Sequence, residues 1–262
     1  MPKILRRRSM ILFLFMAVTG TGYSYANEIS KEDICIHLMA QRGLIKDLKF
    51  KEERGPLGWW SVMYKDSDIV RSDSSDGDIS IRIADVGYYY SPSRKELRLQ
   101  KWTNAFFFCD DIIYELNHGD IELTGKEKIN SSWAYVIEGN FGAKSKYSHF
   151  TQGKIKVWID SNKWIILKAE ISDEGEGFKE MYVVNEIQLI DDKYWFPVEI
   201  IKTTKFEKYP SLGHTESMRK FKDVQINVGI SDEMFNLKLP KKTDITMKEL
   251  INSLSLNPIS PK

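Results

Sequence analysis

From Leu48 onward, apolar and polar residues alternate in short runs. "GWWSVMY", "DIVRSDS", "ISIRIADVGYYYS" and "ELRLQKW" are rich in branched and aromatic residues, and the polar breaks "RGPLG", "KDSD", "SSDGD" and "SPSRK" separate them. Such runs, bounded by turn signals, predict an antiparallel sheet or barrel. The texture resumes at "IELTGKEKI" and "WAYVIEGN" and continues to "MRKFKDVQINVGI", for about ten strands in all. In "KIKVWIDSNKWIILKAEI" (154–171), Ile155, Val157 and Ile159 share one face of an extended chain, and so do Ile165, Leu167, Ala169 and Ile171. Matching apolar to apolar puts Ile159 opposite Ile165 and Val157 opposite Leu167, with "SNK" as a three-residue loop. Altered alternation at Val183 and Val184 predicts a bulge. Pro197, beside Phe196, Val198 and Ile200, marks an edge or irregularity.

Two stretches follow a different period. Ser30 opens a predicted helix over residues 30–42, with Asp33 completing a capping box. Ile34, His37, Leu38 and Gln41 trace one side of it, and Gly43 ends it. "NAFFFCDDIIYELN" (104–117) has no alternation. Phe107, Phe108, Asp111, Ile112 and Glu115 recur at helical spacing, so this stretch predicts a short, very apolar helix. A long antiparallel sheet must curl, close or pack against something, and helices over its inner face are one solution.

The first 26 residues stand apart. Lys3, Arg6, Arg7 and Arg8 precede the apolar run 10–18, and Ser24 and Ala26 follow at the spacing a signal peptidase reads. This predicts a secretory signal peptide over 1–26, and with it a soluble protein outside the cytoplasm. Its removal leaves 34 basic against 37 acidic residues, changing the net charge from +1 to −3. That balance argues against nucleic acid as a partner. About 236 residues remain, enough for one domain with a full core. The predicted division is a signal peptide (1–26), one domain (27–251) and a loose tail (252–262). Cys35 and Cys109 either pair in an oxidising compartment or stand as two buried thiols.

Catalytic patterns are sparse. No serine-nucleophile elbow, zinc-protease motif or phosphate loop occurs. His37, His118, His149 and His214 are scattered without metal-ligand spacing. "SDSSDGD" departs from a calcium loop, since Ile83 stands where a bidentate glutamate belongs. Asp110–Asp111 and Asp191–Asp192 are adjacent carboxylates, which diverge rather than cooperate as an acid–base pair. We expect neither an enzyme, nor a metal, nor a cofactor.

Several stretches together carry a family resemblance. "IRIADVGYYYSPSRKELRL", with Ala84 to Pro92 at its core, resembles a strand–turn–strand of the outer-membrane lipoprotein-sorting family, the LolA-type periplasmic carriers and their relatives. "LTGKEKINSSWAYVIEG", "KIKVWIDSNKWIILKAEISDEGEGF", "YWFPVEI" and "FKDVQINVGISDEMFNL" resemble its later strands in order and spacing, so the likeness covers about residues 48–240. The arginine–proline pair that governs lid closure in the carrier itself is missing. Lys65, followed by Asp66, stands nearest, with Arg71 further on, and the role is not carried over.

The resemblance implies a mainly β fold: one curved antiparallel sheet forming an unclosed half-barrel, with helices covering its concave face. It implies an apolar cavity that shelters acyl chains of a lipoprotein or lipid. Membrane-bound donor and acceptor proteins are implied partners of a monomeric carrier. On that reading Val62, Tyr64, Tyr88, Tyr90, Val157, Ile159, Ile165, Leu167, Phe196 and Val198 line the cavity. Phe106, Phe107 and Ile113 form the lid, and a Cys35–Cys109 bond would tie its two helices together. The alternative is a non-carrier envelope sensor or interaction module that uses the same fold to bind a protein partner.

Overall fold

A computed structural model describes residues 29–53, 58–66, 69–83, 86–101, 108–141, 152–175 and 177–236. Helix α1 (Lys31–Gly43) begins where the capping box places it. Ser30 Oγ accepts the Asp33 amide while the Asp33 carboxylate accepts the Ser30 amide, both at 3.1 Å. Six strands follow: β1 (Asp47–Glu53), β2 (Trp59–Lys65), β3 (Ile69–Ser74), β4 (Ile79–Ile83), β5 (Val86–Ser91) and β6 (Glu96–Lys101). Helix α2 (Phe108–His118) then leads into β7 (Asp120–Ile129), β8 (Ser132–Phe141), β9 (Gly153–Asp160) and β10 (Ile166–Asp173). The last strands are β11 (Phe178–Ile190), β12 (Tyr194–Phe206) and β13 (His214–Ile226), and a short 3-10 turn, Asp232–Phe235, follows them. The apolar helix thus covers residues 108–117 of its predicted span and one residue more, His118; Asn104 to Phe107 lie outside the described residues.

All thirteen strands form one antiparallel sheet in the order β6-β5-β4-β3-β2-β1-β13-β12-β11-β10-β9-β8-β7. It does not close, because β6 and β7 are its two edges. These edge strands are neighbours in sequence, joined through α2. The result is a half-barrel, with α1 and α2 against the concave face. There Ile34, Cys35 and Leu38 of α1 and Ile112 and Leu116 of α2 share one core with Phe50, Val62, Tyr64, Val157, Phe196 and other strand residues.

The predicted bulge lies where the alternation changes, with register shifts between Val184 and Ile187 against β12. Pro197 pairs with Ile187 on one side, and the β12–β13 pairing starts only at Glu199, so β12 is unpaired on its other side at the proline.

The β9–β10 register departs from expectation. Ile159 faces Ile166, not Ile165, and Val157 faces Ala169, not Leu167. The loop is longer than "SNK" because the Asp160 carboxylate accepts the Asn162 and Lys163 amides at 2.9 and 2.8 Å, and Trp164 turns with a φ of 54°. A register shift between Ile166 and Lys168 then turns Leu167 to the convex face, against Ala134, Val136 and Trp158.

A second departure concerns which face is apolar. The row Phe50–Val62–Ser72–Ser80–Tyr89 runs along the helix-covered face, and Met63–Arg71–Ile81–Tyr88–Leu99 runs along the other. No register shift interrupts either row beyond β2. Hence Tyr88 and Tyr90, predicted to line the cavity, lie on the face opposite Val62 and Tyr64. From β3 to β6 the apolar side of the sheet changes over.

Candidate functional site

Between the helices and the sheet lies a hollow of about 70 Å³. Leu38, Arg42 and Ile45 border it from α1 and its exit, and Ile113 from α2. Trp164 and Ile166 close it from the β9–β10 hairpin, and Phe196 and Pro197 from β12.

Each wall has a local cause. Burial would raise the Asp160 carboxyl pKa, but the Lys163 and Asn162 amides and the Lys163 ammonium outweigh it, so the group titrates below the usual carboxylate range. The ionised group pins the turn, and the Trp164 amide bonds back to the Asp160 carbonyl at 3.1 Å. Trp164 is thereby delivered to the concave side, where its ring stacks on His37 of α1 at 4.2 Å and on Tyr135 of β8 at 5.8 Å.

The exit of α1 is tied down by one amide side chain. Asn227 Nδ2 donates to the Leu44 carbonyl at 2.7 Å and to the Tyr194 hydroxyl at 2.8 Å, while its Oδ1 accepts the Lys46 amide at 2.8 Å. Buried Asp47 in turn accepts the Val228 and Gly229 amides at 2.8 and 3.1 Å. Arg42, in the last turn of α1, donates to the Tyr64 hydroxyl in β2 and to the Ile45 carbonyl at 3.3 Å. The helix is therefore held by a few polar ties at its C-terminal end and by apolar contact along its length.

Of the residues proposed from sequence, Val62, Tyr64, Val157, Ile159, Phe196 and Val198 are buried in the concave-face core. Phe196 and Ile165 also border the hollow, Ile165 from the turn rather than from a strand. Tyr88, Tyr90 and Leu167 lie on the other face. Ile113 borders the hollow from α2, while Phe106 and Phe107 lie outside the described residues. Cys35 is a buried free thiol whose Sγ donates to the Leu116 carbonyl at 3.8 Å, and burial pushes its pKa up. The Cys109 side chain lies outside the described residues.

Arg42, Trp164 and Asn227 were missed by sequence reasoning. Trp164 carried a signal, as a tryptophan beside a turn and out of phase with the strand. Arg42 and Asn227 carried none, because their partners are distant in the chain. Among the described residues no three His, Cys, Asp or Glu side chains converge as metal ligands, and no helix is long and apolar enough to cross a membrane.

An unclosed antiparallel half-barrel with two helices over its concave face defines the class, and this fold is LolA-like. Residues 84–239, more than half of the chain, match a family model described as an uncharacterized protein, and the chain belongs to that family. An outer membrane lipoprotein-sorting protein domain from Vibrio parahaemolyticus superposes with a TM-score of 0.56 at 17% identity, over 79% of this chain and 96% of that one. A DUF1329 family protein from Desulfovibrio piger gives 0.57 at 16% identity, over 79% and 95%. A LolA superfamily protein from Nitrosomonas europaea gives 0.52 at 13% identity, over 80% and 99%. At these identities the likeness is one of fold. No curated protein matches the sequence.

Proposed function

We propose that this protein is an extracytoplasmic carrier that shelters an acyl chain of a lipid or lipoprotein between its sheet and its two helices, binding rather than transforming it. One observation carries the reading. The apolar concave face is covered by two short helices instead of a second sheet, and a hollow remains between them. The lipoprotein-sorting and LolA-type folds of its structural neighbours support it, and the signal-like first 26 residues support placement in the periplasm.

Size sets the mechanism. Ligand pockets commonly run to about 300–1,000 Å³, and this hollow has about 70 Å³. An acyl chain therefore enters only as α1 and α2 move off the sheet. Burying about 16 methylenes yields up to about 12 kcal/mol, enough to drive such an opening and still leave net affinity. A lid that opens at modest cost also lets the chain leave again.

Native mass spectrometry of the protein purified from its own envelope tests the reading. A copurifying lipid, displaced by a fluorescent fatty-acyl probe, is the expected result. A lipid-free protein that leaves the probe dark overturns it. The second reading, an envelope sensor or interaction module, draws on the same small volume, since Phe50, Phe196 and Phe221 already fill much of the interior by edge and tilted contacts at 5.1–6.4 Å. A stoichiometric protein partner in place of lipid would favour it.

A further inference from the structure

A cavity of about 560 Å³ lies away from the helices, on the opposite face of β8–β12. Two adjacent cross-strand rows build it. One reads Glu138–Lys156–Glu170–Met181–Thr203, and its charges are largely matched: Lys156 sits 3.2 Å from Glu138, and Glu170 sits 2.5 Å from Lys168. The other, at the rim, reads Asn140–Lys154–Ser172–Lys179–Lys205 and continues to His214 on β13.

From Asn140 to His214 that rim row holds no carboxylate, and its next member, beside Asn140 on β7, is Asp120. Lys179 and Lys205 face each other directly, an arrangement that disfavours the folded sheet. Lys179 is relieved by Glu207 at 2.8 Å. Lys154 and Lys205 have no carboxylate partner among the described residues. They stand three strands apart, about 14 Å along the row, with the Ser172 hydroxyl between Lys154 and Lys179. The flexible lysine stems allow these ammonium groups to converge beside the Ser172 hydroxyl, where together they supply more positive charge than one carboxylate neutralises. They suit a group with several anionic oxygens, for which lysine acts as a point-charge partner. Met181 and the lysine stems supply apolar wall beside it.

We propose that this groove binds a phosphate-bearing group of head-group size, with Lys154 and Lys205 as its charge partners and Ser172 as hydroxyl donor. The phosphate comes either from a lipid head group at a bilayer surface or from a soluble phosphate compound. The site is independent of the acyl-chain reading, since it lies on the other side of the sheet.

The test uses the full domain and a Lys154→Gln/Lys205→Gln variant. Two probes are needed: inorganic phosphate followed by calorimetry, and sedimentation with phosphatidylglycerol vesicles against phosphatidylcholine vesicles. Binding to phosphatidylglycerol alone assigns the lipid source, and saturable binding of inorganic phosphate assigns the soluble one. In either case the variant is to lose at least about tenfold in affinity, and raising salt from about 0.05 M to about 0.5 M is to weaken the wild type. Both substituted side chains are exposed, so the melting temperature of the variant reports whether the fold is intact. Absence of binding by both probes, or equal binding by the variant, overturns the proposal.

Discussion

The guanidinium of Arg42, in the last turn of α1, reaches across to the Tyr64 hydroxyl in β2 and also lies 4.9 Å from the centre of its ring. One side chain thus clamps the end of α1 to the floor of the half-barrel. Tyr64→Phe keeps the ring and removes the hydroxyl. It is expected to destabilise by about 1–2 kcal/mol, as for a lost hydrogen bond to a charged group. It is also expected to speed hydrogen exchange in α1 and uptake of an acyl probe. Unchanged exchange in α1 would show that the clamp does not restrain the helix.

Cys35 reports on the packing of α1 from its buried side. Its thiol is buried on the inner side of α1 and pushed toward higher pKa by desolvation, and the thiolate is the reactive form. In a Cys109→Ser background, alkylation at neutral pH is expected to be slow and to accelerate several-fold when Tyr64→Phe is added. Fast alkylation without the Tyr64→Phe change would mean that the Cys35 face of α1 is not packed against the core in solution. Peptide mapping without reductant tests the pairing considered for the native chain, where a Cys35–Cys109 peptide would show the two helices tied together.

Asp160 controls the hairpin that delivers Trp164. Its folded carboxyl titrates below the unfolded value of about 3.9, so its stabilisation is fully present above that pH and disappears as pH falls through the lower folded value. Asp160→Asn is expected to cost about 1–2 kcal/mol at neutral pH and to flatten the loss of stability below about pH 4. Urea titrations at several pH values measure both. A parallel pair of stability curves would remove Asp160 from the acid response.

Glycine positions separate close packing from free surface. A Cβ on Gly153 would sit 1.8 Å from the Ser172 carbonyl oxygen of the neighbouring strand, whereas a Cβ on Gly43 meets nothing within 4 Å. Gly153→Ala must push β9 and β10 apart and is expected to destabilise by about 3 kcal/mol. Gly43→Ala, in the helix, is expected to stabilise by about 0.5 kcal/mol. Denaturant midpoints of the two variants moving in the same direction would contradict this packing.

What the chain determines by itself is the local part. Ser30 and Asp33 announce α1, the period-two runs announce strands, and the broken alternation at Val184 announces the bulge. Each depends on residues a few positions apart, whose geometry the backbone imposes whatever lies around them. The ordered set of degenerate motifs also points to the half-barrel.

Tertiary structure alone decided the rest. Leu167 turns outward because an Asp160 turn and a bulge reset the register, and period-two geometry converts a one-residue slip into a change of face. Tyr88 and Tyr90 look like lining residues in sequence, but pairing through β3 and β4 places them opposite Val62 and Tyr64. Arg42 meets Tyr64 and Asn227 holds Leu44 only once separate segments have packed, and Lys179 faces Lys205 only through the shifted register of the long β11–β12 hairpin. Alternation says that a strand has two faces. Which one looks inward is settled by its neighbours, through a register that no single segment encodes.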